Sequence, residues 1–337
     1  MKRFIAIAAA VTAVALTLAS PPVEAEGTFE LNVGSLAPKG TPWMRLLEKM
    51  EKQIETESGG KIQVILRPPG VMSEVEMVRE TRKGERLQSA AVTTAALAEG
   101  GNVELLQLVE LPYLFKSNKE ADHILDNVVW DDLAGALKKR GFIMGIWSEN
   151  GWRSFAVKGD TPIKKWEDLK GVKMRSQESD VHMAMYNHYE AQAVQKPMTE
   201  VLTALQSGIV DGLDNTALYL KTGGLSGPLD HFTHTRHIYQ PAAIVFSRRW
   251  YESLPEDLQG IVSAPKSMAA EGRTAIREED EAITMLLEED LTIHTLTDAE
   301  REAFATKARE IHADFVKDIE GGPELLKKIN DELATMR

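Results

Sequence analysis

Strand-like and helix-like segments alternate along most of this chain. Phe29–Ser35 alternates apolar with polar residues, as a half-buried strand does. Thr41 and Pro42 then begin a helix with one apolar face, and Lys61–Arg67 is strand-like again. Repeated units of this length predict an α/β fold with right-handed crossovers. The same pattern predicts further strands at Ser89–Thr94, Phe142–Trp147, Arg153–Val157, Lys173–Arg175 and Ala191–Gln195, and helices at Ser73–Lys83, Ser117–Lys139, Asp180–Tyr189 and Thr199–Ser207.

The pattern changes in the last quarter of the chain. A helical pattern covers about Pro255–Asp290, and its charged block Arg277–Glu281 is typical of a solvated helix face. A helix of about 35 residues is unusual in a compact domain, so we expect it to bridge two lobes. The prediction is completed by a strand at Thr292–Thr295 and helices at Asp298–Lys317 and Pro323–Met336.

The N-terminal segment has the three regions of a secretory signal peptide. Lys2 and Arg3 precede the apolar run Phe4–Ala19, and a proline-containing break is followed by a small-residue site that ends at Ala25. We predict cleavage near Ala25 and export of residues 26–337. The alternative is an uncleaved membrane anchor, which the proline pair and the short run, about 16 residues, disfavour. No later apolar stretch has spanning length, so we expect no membrane insertion after cleavage.

Composition excludes several classes of protein. The 337 residues include no cysteine, which excludes disulfides, thiolate metal ligands and a cysteine nucleophile. With 39 Lys and Arg against 51 Asp and Glu, the formal net charge is -12, which argues against binding to nucleic acid phosphates. Hydrophobic residues make up 43% of the chain, enough for a packed core.

The common catalytic and cofactor signatures are absent from the sequence. None of the patterns GxGxxG, GxxxxGKS/T, GxSxG and HExxH occurs, so we expect no cofactor. The one histidine cluster, His231, His234 and His237, lies in a segment whose Thr and Tyr content favours a strand or loop. Residues three apart on a strand point to opposite faces, so surface or hydrogen-bonded histidines are favoured over a metal site.

Two arginines stand at the ends of predicted strands. Arg153 follows Asn150–Trp152 where one strand gives way to the next, and Arg175 ends the strand Lys173–Arg175. In open α/β sheets, ligands bind outside the carboxyl ends of strands. A guanidinium there binds a carboxylate through two parallel hydrogen bonds. From spacing alone, a solvated charge or a structural ion pair is the more common role for such an arginine.

Several motifs together resemble one protein family. The main matching segments are IKKWEDLKGVKMRS from Ile163 and PMTEVLTALQSGIVDGLDNT from Pro197. Supporting segments are GWRSF at Gly151–Phe155, LPYLF at Leu111–Phe115 and WYESLPEDLQ at Trp250–Gln259. Together they extend over nearly all of the exported chain. The combination resembles the periplasmic solute-binding proteins of TRAP (tripartite ATP-independent periplasmic) transporters, the dicarboxylate-binding-protein-like family.

The resemblance implies a two-domain periplasmic-binding-protein-like fold with hinge strands and a long domain-bridging helix, here Pro255–Asp290. Domain I would comprise residues 26–150 and about 241–280, and domain II residues 151–240 and about 281–337. Such a protein is periplasmic and is not an enzyme. It captures an organic acid in the interdomain cleft by hinge closure and delivers it to the small and large membrane permease subunits for secondary uptake.

The resemblance also implies which residues contact the ligand. In the family, the arginine of the KMR strand pairs with the substrate carboxylate, and Arg175 has that position. Arg153, in the NGxR motif, would add positive charge, and Asn215, after VDG, would hydrogen-bond a polar group of the ligand. Less specific candidates for ligand contact are Trp43, Thr93 and Trp152.

Some positions depart from the commonest pattern of the family and bear on the ligand. Trp43 stands where many relatives have a smaller polar residue, although a Trp on an apolar helix face is more often core. Thr93 and Thr94 stand where some sugar-acid binders have an acidic residue, so a polyol or amine is less supported. Glu178 either repels a second ligand carboxylate or faces solvent. These positions favour a monocarboxylate with an apolar or aromatic part.

Two other classes of protein remain open from the sequence. A secreted enzyme on a similar two-lobed scaffold would need an acid–base pair in the cleft, and the spacing of the carboxylates supports none. A sensory or scaffold protein would present its liganded lobes to a receptor instead of a permease. The identity of the ligand and the oligomeric state are also open.

Overall fold

The computed structural model describes residues 28–263 and 268–337. The predicted signal peptide lies outside the described residues. The described strands are β1 (Phe29–Ser35), β2 (Ile62–Leu66), β3 (Ser89–Thr93), β4 (Phe142–Val157), β5 (Lys173–Ser176), β6 (Gln192–Gln195), β7 (Gly212–Asn215), β8 (His231–Ser247) and β9 (Thr292–Thr295). The described α-helices are α1 (Pro42–Glu57), α2 (Glu74–Lys83), α3 (Thr94–Gly101), α4 (Asn118–His123), α5 (Trp130–Lys139), α6 (Asp180–His188), α7 (Met198–Gln206), α8 (Ala217–Thr222), α9 (Arg248–Ser253), α10 (Glu256–Ser263), α11 (Ala269–Leu287), α12 (Asp298–Arg309), α13 (His312–Val316) and α14 (Gly322–Met336).

All nine described strands form one sheet in the order β2-β1-β3-β8-β4-β7-β5-β6, with β9 beside the start of β8. β1 is parallel to β2 and β3, and β5 is parallel to β6 and β7. The antiparallel pair β4 and β8, of 16 and 17 residues, joins these groups. The first half of β4 and the second half of β8 lie with β1–β3, and their other halves lie with β5–β7 and β9. The sheet thus has two parts connected by two long strands, which confirms the predicted fold class.

Local sequence signals explain where the first helices begin. Thr41 caps α1 by accepting a hydrogen bond from the Met44 amide at 3.3 Å, and Pro42 is the first helical residue. Ser73 and Glu76 form the predicted capping box of α2, with hydrogen bonds of 3.2 and 2.8 Å. Both helices therefore start immediately after loops that follow strands, which brings their N-termini to the carboxyl edge of the sheet.

One long strand replaces two predicted ones. β4 joins the predicted strands Phe142–Trp147 and Arg153–Val157 into a single strand. Its register with β8 shifts between Glu149 and Gly151, and Gly151 has a φ of 110°, which favours glycine. The sequence prediction ended the first strand here because polar residues and a glycine interrupt the alternation, whereas the structure passes this point with a bulge.

One predicted helix is interrupted in the structure, and another is described only in part. The predicted helix Ser117–Lys139 is interrupted by a π-helical turn at Ile124–Val128, between α4 and α5. Of the predicted helix Pro255–Asp290, the structure describes α10 and α11, and residues 264–267 between them lie outside the described residues. α11 bridges the two parts of the sheet. It packs Gly272 against Leu46 of α1, while Asp280 accepts a 2.7 Å hydrogen bond from the Leu218 amide of α8.

Apolar clusters cover both faces of each part of the sheet. Phe155 and Ala156 are neighbours on β4, yet they belong to different buried clusters because successive strand residues point to opposite faces. Two further clusters flank β1 and β3 in the same way. Each part is therefore a sheet between two helical layers. In the described ranges, no helix has both the length and the apolar character needed to cross a membrane.

Candidate functional site

A cleft lies where the two parts of the sheet meet, at the carboxyl ends of several strands. Its volume is about 540 Å³ when the space open to solvent is counted. Four of the six sequence-predicted site residues line it, namely Thr93, Arg153, Arg175 and Asn215. Thr93 comes from β3 in the first part of the sheet, and the other three come from β4, β5 and β7. This is the position at which open α/β sheets bind ligands.

Arg175 presents a cation with unused hydrogen-bonding capacity. Its side chain is 2% exposed, and its Nε donates a 2.8 Å hydrogen bond to the Lys196 carbonyl. Its Nη1 is buried and has no partner. Burial, followed by the nearby charge of Arg153, lowers the pKa of Arg175 to about 10, so the guanidinium remains charged at neutral pH. A buried carboxylate is the natural partner for such a group.

Arg153 has its charge already compensated. Its Nε donates to Asp214 Oδ2 at 2.5 Å, its Nη2 donates to the Asp214 carbonyl, and its Nη1 donates to Gln240 Oε1 at 2.7 Å. Although burial alone would raise the pKa of Asp214, the Arg153 charge and neighbouring histidines hold that pKa well below its usual value. The expectation that Arg153 adds positive charge to the cleft therefore needs correction, since its charge is paired with Asp214, whereas Arg175 has no ion pair among the described residues.

Asn215 ends β7 beside this ion pair. Its Oδ1 accepts a 2.9 Å hydrogen bond from the Thr216 amide, which fixes the orientation of the side-chain amide. Its Nδ2 is buried and has no partner. The cleft thus holds two unpaired donors, Arg175 Nη1 and Asn215 Nδ2, and a buried donor without an acceptor is costly.

A carboxylate that the sequence did not reveal lies next to Thr93. Glu74, the first residue of α2, accepts hydrogen bonds from the Thr93 amide at 3.1 Å and from its hydroxyl at 3.0 Å, and it lines the cleft. The position itself is threonine, as the sequence shows, but α2 brings the carboxylate of Glu74 beside it. The capping box at Ser73 was the available signal, since it fixes Glu74 at the helix start.

The two predicted tryptophans lie apart from each other. Trp43 lines an adjoining part of the cleft, of about 500 Å³, and its Nε1 donates a 2.6 Å hydrogen bond to the Glu149 carbonyl. Trp152 lines a separate hollow in which the Arg236 guanidinium lies 4.8 Å from its ring centre. Its neighbour Arg153 lines the cleft, and adjacent strand residues point to opposite faces. The structure therefore does not bring Trp152 to the cleft.

Comparison with known proteins places this architecture in a family. The family model for bacterial extracellular solute-binding protein, family 7, matches residues 33–318. The chain belongs to this family. A relative of this family 7 protein, the 2,3-diketo-L-gulonate-binding periplasmic protein YiaO of Escherichia coli, is 24% identical over 286 residues, 84% of this chain and 86% of the relative. The C4-dicarboxylate-binding periplasmic protein DctP of Rhodobacter capsulatus is 26% identical over 321 residues, 93% of this chain and 94% of that protein.

Solved structures agree with this assignment. A TRAP periplasmic solute-binding protein from Sulfurospirillum deleyianum with bound succinate has a TM-score of 0.83 and 25% identity, covering 90% of this chain and 99% of the other. One from Polaromonas bound to D-erythronate has a TM-score of 0.82 and 25% identity, covering 89% and 98%. The predicted family is confirmed: this is a solute-binding protein of the TRAP type, not an enzyme, and a periplasmic location follows from the family.

The histidines of the family 7 protein are dispersed. His231 Nδ1 lies 3.2 Å from Nε2 of His294 on β9, whereas His237 is buried 3.4 Å from Asp214. Burial lowers the pKa of His234, between them, to about 4. Across residues 28–263 and 268–337, no three or more His, Cys, Asp or Glu side chains are grouped to hold a metal ion.

A buried polar network, which no sequence motif predicted, lies behind the cleft. Glu110, which is fully buried, accepts a 2.8 Å hydrogen bond from Gln240 and lies 2.8 Å from His182 Nε2. The Thr94 hydroxyl also donates to Glu110. The network ties α6, in the second part of the sheet, to the first part, and it holds Gln240 against Arg153.

Proposed function

We propose that this family 7 protein captures an organic acid by pairing the ligand carboxylate with Arg175. The observation that carries the proposal is the pair of buried, unpartnered donors in one cleft, Arg175 Nη1 and Asn215 Nδ2. A carboxylate oxygen between them would satisfy both, in a site where low polarity strengthens a charge-assisted bond. Arg153 holds Asp214 and Gln240 in place beside these donors. Trp43 lines the adjoining part of the cleft.

We further propose that capture is coupled to hinge closure. The cleft takes residues from both parts of the sheet, so a bound ligand favours the conformation in which the parts approach each other. The domain bounds proposed from the sequence, residues 26–150 with about 241–280 and residues 151–240 with about 281–337, place the divisions within β4 and β8. Cleavage near Ala25 would release the protein, which then delivers its ligand to the small and large TRAP membrane subunits.

Substitution of Arg175 tests the proposal directly. The Arg175→Ala variant of residues 26–337 should bind organic acids at least about 30-fold more weakly by isothermal titration calorimetry, because the ligand charge loses its partner. Arg175→Lys should recover only part of the loss, since an ammonium cannot donate two parallel hydrogen bonds.

The control is Arg248→Ala, at a side chain that is 43% exposed and paired with Glu252. It should leave affinity unchanged. An Arg175→Ala protein that binds the acid as tightly as the parent would remove Arg175 from the site.

A further inference from the structure

The proposed carboxylate capture makes no use of Glu74, although this residue lines the same cavity. Glu74 and Thr93 belong to the first part of the sheet, and Arg175 and Asn215 belong to the second. Within the described residues, the hydrogen bonds to Glu74 both come from Thr93, one to each carboxylate oxygen. The cleft therefore combines unpaired donors from one part with an acceptor from the other.

The carboxylate of Glu74 keeps free acceptor capacity. An ionised carboxylate offers about four lone-pair positions, and Thr93 occupies one on each oxygen, so about two remain. Burial raises the pKa of Glu74, as expected for a carboxylate removed from water with no cation bound to it. A ligand group that donates a hydrogen bond would occupy these positions and offset the cost of burying the charge.

The charges of the cavity wall are unevenly matched. Arg153 is neutralised by Asp214, which leaves Arg175 opposed by two carboxylates, Glu74 and Glu178. One ligand carboxylate is matched by Arg175. A second ligand carboxylate would find no further uncompensated arginine among the lining residues and would be repelled by the two glutamates.

We infer that Glu74 selects monocarboxylates that carry hydroxyl or ammonium groups and disfavours dicarboxylates. The inference rests on the proposed capture of a carboxylate by Arg175 and adds the recognition of the rest of the ligand. It replaces the expectation from the sequence that the rest of the ligand is apolar or aromatic. Thr93 acts as a positioning residue, because its amide and hydroxyl orient Glu74.

Two matched series of acids test this selection by calorimetry on residues 26–337. The four-carbon series is threonate, 4-aminobutanoate, butanoate and succinate, and the six-carbon series is gluconate, 6-aminohexanoate, hexanoate and adipate. In at least one series, the hydroxylated or amino member should bind about 10-fold or more tightly than the unsubstituted acid, and the dicarboxylate should bind most weakly. The comparison of hydroxylated with amino members identifies the donor.

The Glu74→Gln variant isolates the role of the carboxylate. Affinity for the preferred acid should fall about 10-fold, while the dicarboxylate of the same length should gain affinity because a repelling charge is removed. Glu80→Gln is the matched control, since Glu80 lies on the same helix, pairs with Lys83 and does not line the cavity. It should leave the order of affinities unchanged.

The outcomes separate the two proposals. An unsubstituted acid or a dicarboxylate that binds as tightly as the substituted members, or an unchanged order in Glu74→Gln, would overturn the role of Glu74 and leave carboxylate capture intact. Failure of every acid in both series to bind would overturn carboxylate capture, and the inference with it.

Discussion

Arg153 and Arg175 lie in one cleft, but their charges have different fates. Arg153 is held by Asp214, which is 61 positions away in the sequence, and this pairing depends on the alignment of β4 with β7. The motifs were enough to predict that Arg175 and Asn215 lie in the cleft. They were not enough to predict Glu74, because its contact with Thr93 depends on how α2 packs beside β3. The motifs thus identified residues of the cleft, whereas the pairing of their charges was visible only in the tertiary structure.

Asn215→Asp should abolish much of the carboxylate binding without disturbing the fold. The side chain of aspartate has nearly the same size as that of asparagine, and one of its oxygens can still accept the hydrogen bond from the Thr216 amide. The change removes the Nδ2 donor and adds a negative charge beside the ligand carboxylate, so affinity should fall at least about 30-fold by calorimetry. The melting temperature of the unliganded variant is the control. Affinity equal to the parent would show that Asn215 does not face the ligand.

At the scale of elements, the sequence predicted several short strands and capped helices, because their signals are local, but it did not predict β7 or α3. It failed where an element passes through a residue that usually ends one. Gly151 interrupts the alternation of β4, yet β8 continues to pair on both sides of it. The π-helical turn after α4 has no comparable local signal. It closes where the Val129 amide donates to the Ile124 carbonyl at 3.0 Å.

One arginine forms an ion pair between α11 and the connecting strand β4. Arg277 donates to Asp122 at 2.8 and 2.7 Å and to Glu149, which is 1% exposed, at 2.5 Å. Arg277→Met should lower the free energy of unfolding by about 3 kcal/mol, because Glu149 is left buried without its cation. The double variant Arg277→Met with Glu149→Gln should recover part of that loss.

Urea denaturation measures both variants. Arg248→Met, which breaks only the exposed pair with Glu252, should change the unfolding free energy by no more than about 0.5 kcal/mol. An Arg277→Met protein as stable as this control would contradict a structural role for the cluster.

At the scale of the whole molecule, the sequence predicted two lobes through its family motifs, and the sheet shows how one continuous structure accommodates them. Two long strands and α11 connect the parts, so few backbone segments need to bend for them to approach each other. The negative charge of the whole molecule and the positive charge of Arg175 in the cleft are separate properties. The net charge of -12 describes the outer surface, whereas Arg175 supplies a positive charge inside the cleft.

A fall in pH should destabilise the fold through the buried His312 and stabilise it through Asp280. Burial lowers the pKa of His312 to about 4, so its stabilising contribution is complete above its unfolded value, near 6.5, and is lost as pH falls toward 4. Burial raises the pKa of Asp280 to about 6, so the folded state binds the additional proton and this group stabilises as pH falls through 6.

Urea midpoints at pH 7 and pH 5 test these opposite signs. Relative to the parent, His312→Gln should lose less stability between the two values, and Asp280→Asn should lose more. The difference for His312 should not exceed about 1.4 kcal/mol per pH unit. Equal losses in all three proteins would show that neither group is linked to folding in this range.

The unpaired Nη1 of Arg175 has a practical consequence for handling the protein. A buried guanidinium with a free donor does not distinguish strongly between the acid it evolved to hold and the small acids of common buffers. Acetate at tens of millimolar would occupy much of the protein even if it bound only with a millimolar dissociation constant, and would mask a weak ligand in any titration. Buffers made from amines or from weakly coordinating anions, followed by a cycle of unfolding, dialysis and refolding, are therefore the appropriate starting point for every affinity discussed above.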